Sequence, residues 1–498
     1  MPRTRRALTV TALLLVTFMA AMEVTVVSTA MPTVIADLGG IEHYAWVFTA
    51  YIVASTVTVP LLAKLADLYG RKPIIFFGIA CFLVGSVAAG VSENMTELVV
   101  ARAIQGVGAG GVQPMAMTIL GDLYDPAARA RVQGWFGGVW GIAGLTGPLL
   151  GGLIVDAWSW HWVFFINVPF GLASAAVLLV SLHERVERKQ HHLDFAGAGL
   201  LAIAIVAVLL GSNGEERTWL LVVAVAALGG FVWVERRSPE PVLPFSLLTR
   251  RVIAVSSIAG ALVGGVLIAT STFLPLYVQS VLGGSPTDAG LAIAPMAIGW
   301  PLASNITGRI LPRVGFRPLV RLGFLLTLAG ALALGLLLRS DSPVILPRFT
   351  SGVLGLGLGF ANTSLLVAVQ GSVGWHQRGV ATASTLLFRT LGGALAVGAL
   401  GAVLSAVLLS DPALTEASVS SLLGPGHGRD LDPTTLAALS TALDTGLRRV
   451  LQIIAGLAAA AFAVGLLFPR LSVDAEPPAS PSSSADSSQC KSSGQSTM

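Results

Sequence analysis

The sequence predicts an all-α polytopic membrane protein of fourteen transmembrane spans. Three observations carry that prediction. Of 498 residues, 54% are hydrophobic and 11% are charged, against about 25% charged in an ordinary soluble domain. A soluble fold of this length needs far more polar surface to cover its core. The apolar residues come in blocks of roughly 20, the length that crosses a hydrocarbon core of about 30 Å as helix. The basic residues fall between the blocks. Strands of a membrane barrel would show short alternating segments instead, so helices are the reading.

The first expected span, 8–30, follows Arg3, Arg5 and Arg6. That opening imitates a signal peptide. The apolar run, however, continues through Val24, Val26 and Val27 to Pro32, longer than a usual signal core. Spans 45–65 and 74–92 flank a tight loop ending at Lys72. Spans 98–120, 132–156 and 162–182 follow. Trp158, Trp160 and Trp162 straddle a membrane edge, where an interfacial belt explains them. Spans 193–211 and 218–235 form a middle pair. The remainder are 251–279, 288–309, 318–338, 343–368, 380–409 and 447–468.

Residues 410–446 form a long outer loop. Asp432–Pro433 reads as a helix start, with Pro at the first helical position. Leu436, Leu439, Leu443 and Leu447 follow at helical spacing. Two readings fit equally: an amphipathic helix on the outer membrane surface, or an outward extension of the last span. Residues 471–498, rich in Ser and Pro, are expected to be a disordered cytoplasmic tail.

The charges choose the orientation. With the N-terminus in the cytoplasm, the N-terminal arm and inner loops hold 20 of the 30 Lys and Arg. The outer loops and outer helix ends hold five: Arg217, Arg339, Arg429, Arg448 and Arg449. This positive-inside pattern, with an even number of spans, puts both termini in the cytoplasm of a cell membrane.

Several function classes are excluded on the same grounds. The net charge of +4 is spread between apolar blocks, so nucleic-acid binding is a poor explanation. Cys81 lies in an apolar block and Cys490 in the tail, so no disulfide framework is expected. Gly106-Val-Gly108-Ala-Gly110-Gly111 imitates a dinucleotide fingerprint but lies inside an apolar span with no strand before it. No phosphate-binding G-x-x-x-x-G-K-[ST] run, no H-E-x-x-H pattern and no set of residues for covalent catalysis is present. The expectation is a protein that is not an enzyme and uses no metal or cofactor.

The second part of the chain echoes the first. Arg102-Ala-Ile-Gln105-Gly106 resembles Arg348-Phe-Thr-Ser351-Gly352, and both open glycine-rich apolar spans. The loop Ala63 to Lys72 has a worn counterpart in Gly308 to Arg317. Both offsets are near 246 residues. Two similar six-helix halves, with the substrate site between them, are a known plan for secondary transporters. The expected domains are therefore a six-helix half at 1–182, two additional spans with inner linkers at 183–250, and a second half at 251–470 before the tail.

Five segments together resemble the major facilitator superfamily, specifically its fourteen-helix drug:proton antiporter branch, over roughly residues 10–470. Met22-Glu23-Val-Thr25 through Pro32 resembles the first-span pattern, and Ala63 to Lys72 the signature loop. Arg102 to Gly106 resembles the fourth-span motif, and Gly147-Pro148-Leu-Leu-Gly151-Gly152 the fifth-span antiporter motif. Trp160 to Gly171 resembles the opening of span six. Glu23 stands where Asp is usual, Ala63 for a Gly, Leu68 for an Arg and His161 for an Arg. The Gly-Pro pair is replaced by Gly393-Ala394 in the second half, as expected of exporters.

Glu23 is the one acid deep in an expected span. Its desolvation is expensive, which makes it a functional candidate by default. A carboxyl held away from water can load a proton near neutral pH, and its anion suits a cationic substrate. The alternative is a structural acid paired with an Arg. Arg102 takes part in proton coupling by resemblance; the alternative is an Arg snorkelling to the outer interface. Arg389, deep in span thirteen, forms a buried pair or holds an anionic group, and both readings stay open. Gly70 permits a sharp turn in the gating loop. By resemblance, Asp67 with Arg71 and Lys72 latches the two halves. Gly147, Pro148, Gly151 and Gly152 permit close helix contact and a bend.

The expected function is proton-coupled export of hydrophobic or cationic drug-like compounds by alternating access. The partners are those compounds, protons and the lipid bilayer, and the chain is expected to be a monomer. A lipid exporter of the same fold and a non-transporting sensor or scaffold are the competing readings.

Overall fold

The apolar blocks become helices. In the computed structural model α1 is Arg6–Leu38, α2 Tyr44–Tyr69, α3 Arg71–Gly90, α4 Met95–Leu123 and α5 Pro126–Ala157. The next are α6 His161–Phe165, α7 Asn167–Ser181, α8 Phe195–Leu210, α9 Arg217–Glu235 and α10 Phe245–Leu248. The last six are α11 Arg251–Ser280, α12 Pro286–Val314, α13 Phe316–Leu337, α14 Ile345–Gly371, α15 Arg378–Leu408 and α16 Pro433–Leu466. The structure describes residues 5–124, 126–184, 195–210, 217–238, 245–373, 378–408 and 432–470. No strand occurs among them. The tail at 471–498 and most of the 410–446 loop lie outside the described residues.

Every expected span overlaps a helix. Among the described residues, nine helical stretches are long and apolar enough to cross a membrane. The chain is a multi-pass membrane protein. Pro32, Pro114, Pro148, Pro275 and Pro301 sit inside helices. Membrane helices tolerate them because neighbouring elements satisfy the freed carbonyls.

One element differs from its expected form, and one open choice is resolved in favour of the outward extension of the last span. The expected span 162–182 is split at Ile166 into α6 and α7. The amphipathic segment from Asp432 is no separate surface helix but the first turns of α16, which runs unbroken to Leu466. Asp432 caps it by accepting the Thr435 backbone N–H at 3.0 Å. Leu439, Leu443 and Leu447 are fully buried, so this stripe packs on protein.

Helices α1–α7 and α11–α16 form two groups. In the first, α4 packs on α2 and α3, while α1 packs on α5 and α7. In the second, α12–α13–α14 and α11–α15–α16 are the main associations. Glycines set the spacing. A β-carbon at Gly108 would strike Phe82 and Gly78, and one at Gly110 would strike Ser55 and Thr58. The glycine run in α4 is therefore a packing surface between α2 and α3.

The groups meet along two seams, α5 on α12 and α2 on α15. The α8–α9 pair covers the second: Leu201, Ile205 and Phe231 cluster with Val53 of α2 and Ala394 of α15. Polar cross-group contacts gather at one end, where α1 and α5 finish and α2 and α12 begin. There the Tyr44 hydroxyl donates to the Thr272 carbonyl, and Gln279 donates to the Thr29 carbonyl at 3.0 Å. Thr287 donates to Asp156 at 2.6 Å. Further along the seam helices, a β-carbon on Gly138 of α5 or Gly308 of α12 would meet nothing within 4 Å.

Candidate functional site

A polar cluster is buried inside the first helix group. Glu23 of α1 and Arg102 of α4 are each 1% exposed, and Ser86, Gln105 and Asn167 are fully buried. Asn94 caps α4 by accepting the Glu97 N–H at 2.9 Å. That start places Arg102 two turns into the helix, where it is buried inside the helix group.

The cluster is a closed network. Arg102 Nη1 donates to Glu23 Oε1 and to Gln105 Oε1, and its Nε donates to the Val47 carbonyl at 3.2 Å. Asn167 Nδ2 donates to Glu23 Oε2 at 2.5 Å and to Ser86 Oγ at 3.1 Å. Gln105 Nε2 donates to the same Ser86 oxygen at 2.7 Å. The guanidinium also lies over the Tyr51 ring at 4.3 Å and the Phe164 ring at 6.0 Å. A buried carboxylate and guanidinium require this kind of pairing and hydrogen bonding. One buried acceptor is left over: Asn167 Oδ1 has no hydrogen-bond partner among the described residues.

Local sequence builds the cluster. A β-carbon on Gly85 would collide with the Gln105 backbone, so glycine there brings Ser86 to Gln105. A β-carbon on Gly106 would strike the Tyr51 carbonyl, so glycine there lays Tyr51 against Arg102. The break at Ile166 places Asn167 at the first turn of α7, aimed at α1.

The structure thus brings Glu23 and Arg102 together. Tyr51 and Ser86 were missed by sequence reading, and Gln105 and Asn167 had only a place in the motifs. The available signal was the rarity of Gln and Asn inside apolar blocks; serine is common there, so Ser86 carried none. Arg348, the repeat counterpart of Arg102, instead pairs with Asp288 at 2.7 Å at the capped start of α12. Ala269 stands at the same repeat spacing from Glu23, and no acid replaces it there. The network is one-sided.

The Gly147 to Gly152 run lies on both α1 and α12. A β-carbon on Gly147 would strike the Thr25 hydroxyl, and one on Gly151 would strike Thr29. On the other face, Gly152 lies against Pro286 and Thr287, and Gly290 lies against the Pro148 backbone. The motif is a three-helix contact joining the groups.

The loop between α2 and α3 is one residue, Gly70, with φ 97°. Such a φ favours glycine. Arg71 and Lys72 open α3, and both backbone N–H groups donate to the Glu184 carboxylate, at 2.7 and 2.8 Å. Lys72 Nζ donates to the Leu182 carbonyl at 2.6 Å. These contacts tie the start of α3 to the end of α7, within one helix group. Glu184 was missed by the sequence reading. The Asp67 side chain lies outside the described residues.

Arg389 is far from this network, in the second group. Its Nη1 donates to Asn362 Oδ1 at 3.1 Å, and its guanidinium lies 5.8 Å from the Trp300 ring centroid. Among the described residues no carboxylate pairs with it.

An all-helical, multi-pass bundle of two helix groups, with a buried ion pair beside their junction, defines the class of membrane transporters. The chain belongs to the Major Facilitator Superfamily, whose family model matches residues 13–397. It is 34% identical to the multidrug transporter protein MdtP of Bacillus subtilis (strain 168), over 81% of this chain and 76% of that protein. It is 36% identical to multidrug resistance protein 3 of the same organism, over 78% of each. Its fold resembles that of a bacterial homologue of the human lysosomal transporter Spinster. The TM-score is 0.67 at 17% identity, covering 96% of this chain and 100% of that one.

Proposed function

We propose that the chain is a proton-coupled exporter of hydrophobic or cationic drug-like compounds, of the fourteen-helix antiporter branch. The observation that carries this reading is the fully buried Glu23–Arg102 pair, held by Asn167 and Gln105, with Glu23 on the helix that packs on α5 at the seam. Two relatives carry multidrug names, and a third, from Gibberella fujikuroi, is named an efflux pump.

Glu23 is the proton carrier and Arg102 its counter-ion. Protonation removes the negative charge from the pair and leaves Arg102 a buried cation, a costly state. Asn167 then turns its unpartnered Oδ1 to accept the new carboxyl proton. Glu23 shares its helical turn with Met22 and Thr25, which pack on Gly147. Changes in how Glu23 holds α1 are passed to the α1–α5–α12 contact in this way. Each charge returning down the membrane potential supplies about 2.3 kcal/mol per 100 mV.

With the basic loops and both termini in the cytoplasm, the sealed end of the bundle faces outward and the state is inward-facing. The two helix groups are the rocking halves, residues 1–182 and 251–470, with α8 and α9 as a linking pair. The loop at Gly70 acts with Asp67, Arg71 and Lys72 as the gating element. The competing reading is lipid export by the same fold, which a long outer loop with an amphipathic helix suits; that helix is the first turns of α16 and not a separate element.

The reading is tested by a resistance profile of cells overexpressing the chain or its Glu23→Gln variant, across cationic, neutral and anionic toxic compounds. Resistance that depends on Glu23 supports export. A profile matching that of empty cells rejects it.

A further inference from the structure

The two helix groups repeat one corner and complete it differently. In the first group, Gly70 with φ 97° turns the chain into α3, and the first two N–H groups of α3 donate to the Glu184 carboxylate. Glu184 stands two residues past Leu182, where α7 stops. In the second group, Gly315 with φ 81° turns the chain into α13 in the same way. The helix packed there in place of α7 is α16, which stops at Leu467. Two residues further on stands Pro469, followed by Arg470. No side chain caps the start of α13.

Four arginines gather at this second corner. Arg317 and Arg321 lie in the first turns of α13, Arg251 opens α11, and Arg470 follows α16. Arg321, Arg470 and Arg251 all lie close enough to Arg317 to repel its charge. Arg321 donates to the Leu466 carbonyl at 3.3 Å and Arg251 to the Leu467 carbonyl at 3.4 Å, so both lean on the end of α16. The Nε atoms of Arg317 and Arg321 are sealed from water and have no hydrogen-bond partner among the described residues. No carboxylate pairs with any of the four among those residues. The orientation of the chain accounts for basic residues at this end. It does not account for four of them converging on one corner without an acid, because like charges at short range repel.

The surroundings select the anion. Leu322 and Leu325 of α13, with Leu466 and Leu467 at the end of α16, are large apolar side chains left exposed beside the arginines. Leu325 is one helical turn beyond Arg321, further into the span. A free ion gains nothing from that apolar border, whereas a phospholipid sets its headgroup on the arginines and its chains along the leucines. Guanidinium groups bind phosphate oxygens through paired, charge-assisted hydrogen bonds. We infer that this corner binds the headgroup of an anionic phospholipid, its phosphate taking the place that Glu184 holds in the first group. In the orientation proposed above, the lipid belongs to the cytoplasmic leaflet. The binding itself does not rest on the proposed transport.

The test is a lipid competition read by native mass spectrometry. The full chain, stripped of lipid in detergent, is titrated with phosphatidylglycerol and with phosphatidylcholine of identical acyl chains. The readout is the ratio of their affinities at the first binding step. The native protein is expected to prefer phosphatidylglycerol by about tenfold or more, the value of two arginines at a charged lipid surface. Arg317→Gln with Arg321→Gln is expected to bring the ratio near unity. Arg236→Gln with Arg237→Gln removes the same charge from the end of α9 and is expected to keep the preference. Pro469→Glu puts an acid at the counterpart of Glu184 and is expected to abolish the preference with all four arginines intact. That variant keeps the test valid if the arginine variant does not fold. Equimolar inorganic phosphate is expected to leave the lipid bound. A native ratio near unity, an equal loss in the α9 variant, or a preference surviving both the arginine pair and Pro469→Glu overturns the inference. Displacement by inorganic phosphate also overturns it, since the site is then one for free anions. So does a preference that emerges only with Asp474→Asn and Glu476→Gln, which assigns the corner to the chain's own tail.

Discussion

Thr25 fills the space in front of Gly147: its hydroxyl, donated to the Met22 carbonyl at 2.9 Å, sits where a β-carbon at 147 would have to go. Glu23 lies between those two residues in sequence. The acid that is buried on one side of α1 and the contact that joins the helix groups on the other therefore share a single turn. This relationship connects the candidate proton site to the seam without any intervening loop.

Gly147→Ala tests that connection. The added carbon must displace Thr25 or move α1 away from α5, an overpacking cost of about 1–3 kcal/mol. Export is expected to fall severalfold while the protein still inserts and purifies. Thr25→Ser combined with Gly147→Ala keeps the hydroxyl and removes the methyl, and is expected to recover less than Thr25→Ala with Gly147→Ala. Transport by the paired variants in vesicles checks the order.

Arg102→Ala leaves Glu23 buried without its cation. Breaking one side of a buried pair costs about 3–5 kcal/mol. The variant is expected to unfold at clearly lower temperature in detergent. Glu23→Gln with Arg102→Gln removes both charges and is expected to restore much of the stability, with no coupled export. Thermal unfolding of Arg102→Ala, Arg102→Gln, Glu23→Gln and the double variant checks this.

Glu184→Gln addresses the loop after α2. The Glu184 carboxylate accepts the first two N–H groups of α3, where an anion also meets the helix dipole. Loss of the charge is expected to cost about 1 kcal/mol locally. Hydrogen exchange should show faster exchange at Arg71 and Lys72 and little change in the core of α3.

Acid affects the start of α16 in a defined direction. The Thr434 and Thr435 side-chain hydroxyls, with the Thr435 N–H, hold the Asp432 carboxyl well below its ordinary range. A carboxylate with a depressed folded value stabilises above its unfolded value, and that stability is lost as pH falls through the folded value. The first turn of α16 is therefore expected to stay protected through the pH range where free Asp titrates, and to fray only below it. Asp432→Ala should fray the same turn at neutral pH. Hydrogen exchange across 433–437 at several pH values checks both.

The sequence made the helices legible because membrane spans follow from length and apolarity alone, as α11 and α13 show. Glu23 was visible for the same reason: an acid stands out in an apolar run. Its partnership with Arg102 was left open, because a pair 79 residues apart depends on how α1 and α4 pack. Glycines make that packing possible, but Gly85 and Gly106 resemble every other glycine in a membrane helix until their neighbours are known. Asn167 needed the break at Ile166, which Pro169 marks: it has no N–H for the Phe165 carbonyl and sits in the first turn of the new helix. The stripe from Leu436 to Leu447 was ambiguous in principle, since a buried leucine face and a lipid-facing one have the same spacing.

The central claim is that Glu23 carries the exchanged proton. The most direct measurement uses the full chain reconstituted in proteoliposomes, with a pH gradient imposed and the lipophilic cation ethidium as probe. Native protein is expected to drive ethidium uphill and to release protons as it does so. Glu23→Gln is expected to bind ethidium and equilibrate it across the membrane, with no uphill movement and no proton flux. Uphill ethidium transport by Glu23→Gln at the native rate would contradict the account.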